Sequence, residues 1–335
     1  MKTRELGRTG IQVSEIGLGG WGLGGVYYGE VTREQGIEAV RAYLDAGGNH
    51  LDTAYAYHTS EEIIGEAIQG YDREKLVIAS KTYAGTWDTA EIPKVREHLE
   101  ISLRDLGTDY VDLYDLHGSP EDPDKMHRLL DFFLKLKEEG KVRAIGCSIR
   151  GPNVDDASLA NAKQYAASGK LDAMQLAFSV LRQKHREVFK TAAENGVGII
   201  ARAVLESGMI TGKYKPGHEF TWPDQRTRYG KEKDVIFEEA QKLQAYLPEG
   251  YDSTAQLATK YVLAHPEVCS VILGGVNADQ FRRNAAMDEL PDLPDEIVQQ
   301  LTERYQDRND EFNPTLELEH VPSPRRPLEG DEPKE

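Results

Sequence analysis

The stretch NHLDTAYAYHTSEEIIG, residues 49–65, sets the plan of the chain. Residues 49–52 read as a short strand, the polar and aromatic run after them as a loop, and EEIIGEAI as a helix whose orphan backbone donors the Ser60 hydroxyl can cap. Asp52 therefore ends a strand, and Tyr57 stands on the loop beyond it. In a barrel of parallel strands, such positions converge at one mouth, where these folds keep their chemistry. Taken alone, the stretch reads equally well as structure, because strand-ending aspartates cap loops and loop tyrosines pack half-buried.

Working outward, strands and helices alternate. The spacing predicts strands at 16–18, 49–52, 76–81, 111–117, 144–148, 173–176, 198–203 and 270–273, eight in all. Amphipathic helices fall between them, including VREHLEISLRDLG, MHRLLDFFLKLKEEG, DDASLANAKQYAASG, HREVFKTAAENG and STAQLATKYVLAHP. That rhythm implies right-handed crossovers and a parallel sheet, and eight units in this length imply a closed barrel. The expected fold is α/β: a single (β/α)8 TIM barrel over residues 1–313. Residues 2–13 are expected to form a hairpin lid turned at Arg8-Thr9-Gly10, and residues 205–229 a long loop after strand 7 that borders the site. Residues 314–335, rich in proline and charge, are expected to be a mobile tail.

Gly17, Gly19 and Gly22 fit the spacing G-x-G-x-x-G, yet a dinucleotide fingerprint needs its last glycine to open a helix. WGLGGVYYGE follows instead and is expected to be non-helical loop. The first helix is expected only at Thr32, where Thr32 and Gln35 make a capping box.

Composition narrows the function classes. A net charge of −17 over 335 residues disfavours a nucleic-acid or anionic-membrane partner. A mean hydropathy of −0.56, with no long apolar run, predicts no spanning helix. The opening MKTRELGRTGIQV lacks the apolar segment of a secretory signal, so a cytoplasmic location is expected. Cys147 and Cys269 each lie in or beside an apolar run and are expected as reduced, packed thiols, with no metal site.

Asp52, Lys81 and His117 end three successive strands, with Tyr57 on the loop between the first two. Singly, a strand-end lysine can be a surface residue and a histidine a structural one; jointly they suit carbonyl reduction. A phenol is a reluctant acid at neutral pH, and an adjacent ammonium from Lys81, held by Asp52, is expected to bring Tyr57 toward the working range. His117 can orient a carbonyl oxygen. No nucleophile with a paired base stands among these positions, so the electrons are expected from a cofactor.

LDTAYAYHTSEEIIGEAI, VIASKT, SLRDLGTDYVDLYDLH, KEEGKVRAIGCS and LESGMITGKY together resemble the aldo-keto reductases, over roughly residues 3–286, and ARAVLESGMITGKY resembles a bacterial-type subgroup. The resemblance implies Tyr57 as general acid, Lys81 and Asp52 as its tuning pair, His117 as orienting donor, and NADPH as the usual hydride source. On the cofactor side it implies Ser148 and Gln175 at the carboxamide, although Ile149 stands where the family has Asn. It also implies Arg202 stacking on the nicotinamide, with Gly20, Trp21, Asp52, Leu205 and Gly208 alongside. Gly274, Gly275, Gln280 and Asn284 fall in its phosphate and adenosine segment. Val276 replaces a residue that often meets the 2'-phosphate, for which Arg282 or Arg283 can substitute. NADP(H) is expected ahead of NAD(H). Trp21, Tyr28, Trp87 and His117, with Tyr27 and Trp222 nearby, are the expected substrate contacts, for a small carbonyl compound or a sugar. An NAD-dependent sugar or polyol dehydrogenase, and a slow regulatory barrel resembling channel β subunits, are the alternatives. Oligomeric state is not legible.

Overall fold

The computed structural model describes residues 1–24, 28–82, 92–120, 122–149, 151, 153–221 and 224–314. Eight parallel strands close into a barrel: β3 (Ile16–Gly19), β4 (His50–Asp52), β5 (Val77–Thr82), β6 (Val111–Leu116), β7 (Val142–Ser148), β8 (Ala173–Ala177), β9 (Gly198–Arg202) and β10 (Val268–Gly274), which returns to β3. Each predicted strand is present, with its ends moved by a residue or two. The proposed tail lies almost wholly outside the described residues.

The strand alternation decides what fills the barrel. Val77, Ala79, Leu113, Ala144, Ala173 and Ile200 form one apolar cluster within the barrel with Leu6, Ile11 and Val13 of the N-terminal hairpin. Hairpin strands β1 (Thr3–Glu5) and β2 (Gln12–Ser14) therefore plug the floor at the strand N-termini, the end opposite the mouth. Asn49 fixes the plug, accepting from the Ser14 amide at 2.7 Å and donating to the Gln12 carbonyl at 2.8 Å. This bonding occupies Asn49, and β4 begins only at His50. Outward-facing residues such as Ile78, Tyr114 and Ile145 join the larger core under the helices, where each fully buried aliphatic side chain contributes about 1.5–3 kcal/mol.

Helix α1 (Arg33–Asp45) starts as the sequence implies: Thr32 caps it, and Gln35 reaches back in a reciprocal capping box. Two local expectations fail. Helix α2 (Ser60–Ala67) contains Ser60 as its first residue, and no side chain caps it. The Ser60 hydroxyl instead accepts from Thr53 Oγ1 at 2.9 Å, because the tight turn after β4 brings the two hydroxyls together. GGWGLGG is also not wholly irregular, since Gly20–Gly24 forms a short 3-10 turn. Three-residue turns tolerate glycine where an α-helix would be costly.

After β9 the chain runs through two 3-10 turns, Glu206–Thr211 and Gln225–Arg228, before the helix Glu232–Leu243. Ala203, Glu206 and Ser207 hold positive φ, strain that L residues adopt only when held. A buried pair supplies the hold: Arg182 Nε donates to Glu206 at 2.8 Å, and its Nη1 donates to Asn313 at 2.7 Å.

Candidate active site

Inward alternation on β4 and β5 aims Asp52 and Lys81 at the same point of the barrel axis. Lys81 is fully buried. Its ammonium donates to Asp52 Oδ2 at 2.6 Å and to the Thr53 carbonyl at 2.7 Å. Asp52 Oδ2 also accepts from Gln175 Nε2 of β8 at 2.8 Å. Burial by itself lowers the Lys81 pKa, but the acidic surroundings, Asp52 foremost, outweigh it and raise the value, so the ammonium is kept.

Tyr57 lies over this pair. The ammonium sits 5.2 Å from its ring centroid, the Trp21 ring meets it edge-on at 4.8 Å, and the His117 ring meets it edge-on at 5.4 Å. β6 ends at Leu116, one residue short of the predicted strand, and the His117 amide is fixed by the Thr82 carbonyl at 3.0 Å. Burial pushes the phenol pKa up; Lys81 pulls it down, as the sequence reading expected, without overcoming burial. The expectation that the Lys81 ammonium, held by Asp52, brings Tyr57 toward the working range is therefore corrected: burial outweighs the ammonium, and the phenol keeps its proton. Burial, then Lys81 and Arg202, hold His117 well below the ordinary imidazole range. It is neutral at pH 7 and carries one N–H.

The residues assigned to a cofactor ring the same mouth. Ser148 Oγ lies 3.5 Å from Gln175 Oε1. Arg202 Nη2 donates to the Ile149 carbonyl at 3.0 Å, while its buried Nε has no hydrogen-bond partner among the described residues. A Cβ on Gly22 would lie 2.6 Å from the Gly275 carbonyl, whereas one on Gly274 would meet open space. The loops after β3 and β10 thus approach backbone to backbone beside an open rim, a cradle that side chains would fill. Gln280 and Asn284 of the helix Ala278–Ala286 bond that rim, at the Val276 amide (2.7 Å) and the Gly274 carbonyl (3.3 Å). Gly20 packs tightly, its Cβ position 2.6 Å from Ser60 Oγ. The Leu205 carbonyl accepts from the Gly208 amide at 2.8 Å in the turn after β9. An orphaned guanidinium nitrogen beside an open glycine rim fits a nicotinamide dinucleotide.

Among the expected substrate contacts, Tyr28 is tied to the loop after β9. Its hydroxyl accepts from Gln225, and Arg226 lies 5.2 Å over its ring. Trp87, Tyr27 and Trp222 lie outside the described residues. The sequence reading missed Asp115, a buried carboxyl that β6 alternation turns inward beside Lys81. The signal was present in VDLYDLH, where the second Asp occupies an inward position the pattern reserves for apolar residues. Both cysteines are buried and unpaired. No helix among the described residues is long and apolar enough to cross a membrane.

An eight-stranded parallel barrel carrying an enclosed lysine, a phenol and a neutral imidazole at its C-terminal mouth is the architecture of a barrel oxidoreductase. The chain belongs to the aldo/keto reductase family, whose model matches residues 15–306. An aldo-keto reductase of Bacillus subtilis is 30% identical over 281 residues, 79% of this chain and 82% of that one. The NADH-specific methylglyoxal reductase of Escherichia coli is 30% identical over 317 residues, covering 85% of this chain and 93% of that protein. In structure, the holo form of an aldo-keto reductase of Bacillus halodurans superposes with a TM-score of 0.73 at 28% identity, covering 90% of this chain and 96% of that one.

Proposed function

We propose that the protein reduces small aldehydes or ketones to alcohols, with Tyr57 as proton donor and a nicotinamide dinucleotide as hydride source. The observation that carries this reading is the buried Lys81–Asp52 pair beneath the Tyr57 ring, with the His117 ring 5.4 Å away. When bound, the reduced nicotinamide supplies a hydride, one hydrogen with its electron pair, to the carbonyl carbon. Tyr57 transfers its Oη proton to the carbonyl oxygen, so carbon and oxygen each gain one hydrogen and an alcohol results. Lys81 stabilises the phenolate left behind, and Asp52 with the Thr53 carbonyl holds the ammonium in place. His117, neutral, donates its single N–H to the carbonyl oxygen and orients it. Trp21 covers the phenol and helps keep water from the proton-transfer path. Ser148, Gln175, Arg202, Leu205, Gly208, Gly274 and Gly275 would hold the cofactor.

NADP(H) is the first reading of the cofactor, with Arg283, exposed on the helix Ala278–Ala286, as partner for the 2'-phosphate. NAD(H) is the second reading, favoured by a specific observation: Arg282 is paired with Asp279 at 2.9 Å, so its charge is already partnered and less available to a 2'-phosphate. The name of the Escherichia coli relative points the same way. For the substrate, that relative suggests a small dicarbonyl. Titrating the protein with NADPH and NADH separately, then assaying methylglyoxal and 4-nitrobenzaldehyde, tests the reading. Binding of one cofactor with turnover of either carbonyl supports it; binding of neither cofactor overturns it.

A further inference from the structure

Asp115 takes no part in the mechanism above, yet it stands at the centre of the barrel. Its Cα is in register with Lys81 on β5 and Gly146 on β7. A Cβ built on Gly146 would lie 1.9 Å from Asp115 Oδ1, so the carboxyl occupies space that only a glycine leaves free. Its other oxygen, Oδ2, is buried and has no hydrogen-bond partner among the described residues. Among the described residues, the charged and titratable groups that face it are Lys81 from β5, Asp52 from β4 and the Tyr57 phenol from the loop after β4. The Cys147 thiol stands one residue past Gly146, and Asp115 pushes its pKa further up. His117 follows two residues on along its own chain.

Two carboxyls thus share one ammonium. Asp52 takes the short bond to Lys81, and Asp115 is left in the low-dielectric interior with its Oδ2 lacking a donor among the described residues. A carboxyl so placed is pushed toward its protonated form. Burial lifts it, Lys81 opposes and Asp52 adds to the lift, and the net result is about 7.

We propose that Asp115 is a positioning residue for Tyr57: carbonyl reduction requires it as the neutral acid, and its ionisation weakens Tyr57 as a proton donor. The inference rests on the carbonyl-reduction reading. With Asp115 neutral, the Lys81–Asp52 pair carries no net charge beneath the phenol. Ionisation adds a negative charge there, which raises the phenol pKa further and opposes charge building on the carbonyl oxygen. Both effects slow the same step, and the proton on Asp115 gates reduction without itself being transferred.

The test compares wild type with Asp115→Asn and Asp115→Ala, two neutral replacements of which the second removes any packing conflict. The kcat/KM for 4-nitrobenzaldehyde is measured from pH 5.5 to 9, and the full-length protein labelled with 13Cγ-aspartate is titrated by NMR. The Asp115 resonance is assigned by its loss in Asp115→Asn. Wild type is expected to lose about tenfold or more between pH 6 and pH 8.5, and both variants are expected to lack that limb. The Asp115 resonance is expected to titrate near 7. A limb that persists in both variants, or a carboxyl already ionised at pH 5, overturns the proposal. Brisk wild-type turnover with a flat profile sinks the coupling to Tyr57 alone. Absence of turnover on every carbonyl sinks the carbonyl-reduction reading, and the coupling with it.

Discussion

Replacing Lys81 with Met keeps the buried aliphatic stem and removes the ammonium. Asp52 then loses its 2.6 Å partner and, among the described residues, keeps the Gln175 bond at 2.8 Å, in a barrel interior where Asp52 is 3% exposed. Breaking a buried pair from one side typically costs about 3–5 kcal/mol, because the remaining charge is stranded. The stranded carboxyl has one escape, which is to take up a proton. That uptake costs about 1.4 kcal/mol less for each unit by which the pH is lowered. The destabilisation therefore has a ceiling that falls with pH. Urea unfolding of Lys81→Met at the two pH values reads this directly, and adding Asp52→Asn to Lys81→Met is expected to recover most of the loss at pH 7. A loss below about 1 kcal/mol at pH 7, a loss that does not shrink at pH 5, or a double variant as unstable as the single one would refute the enclosed-pair reasoning.

Three further outcomes follow from neighbouring features. Gly146→Ala places a methyl against Asp115 Oδ1, and overpacking of that kind is expected to cost about 1–3 kcal/mol in urea unfolding and to move the near-neutral limb of the pH–rate profile. Thr32→Ala removes the capping box of α1; a stability loss of about 0.5–2 kcal/mol with kcat/KM unchanged is expected. Because Asp115 is lifted to about 7, the folded chain holds a proton that the unfolded chain has already released. Its contribution is intact below about pH 4 and lost as pH rises through 7. Asp115→Asn is therefore expected to gain on wild type in urea unfolding free energy by about 1.4 kcal/mol per pH unit from pH 5 to about pH 7, roughly 3 kcal/mol in all, and to hold that gain at pH 8.

Much of this was legible in the chain. The alternation of β-branched runs with amphipathic segments located every barrel strand, because a parallel strand buried on both faces leaves a continuous apolar mark. Strand ends carried the signal for Asp52, Lys81 and His117, since position on a strand fixes which mouth a side chain reaches. Hydroxyl partnerships were not legible: Ser60 looked like a helix cap, and only the tight turn after β4 shows that it belongs to Thr53. Asp115 was missed for a related reason. Its inward direction follows from period two within β6, but its closeness to Lys81 depends on the register of β6 against β5 and on the space left by Gly146. The phenol was misjudged because charge proximity can be read from sequence, while the depth of burial that opposes it cannot.

The most direct test of the account is the turnover of Tyr57→Phe beside wild type, with cofactor binding followed in the same samples by nucleotide fluorescence. Phe keeps the ring between Trp21 and His117 and removes only the hydroxyl. The account predicts cofactor binding within a few-fold of wild type and carbonyl reduction lowered by about 100-fold or more. Turnover within a few-fold of wild type on every carbonyl tested would contradict Tyr57 as the proton donor and, with it, the function proposed for this site.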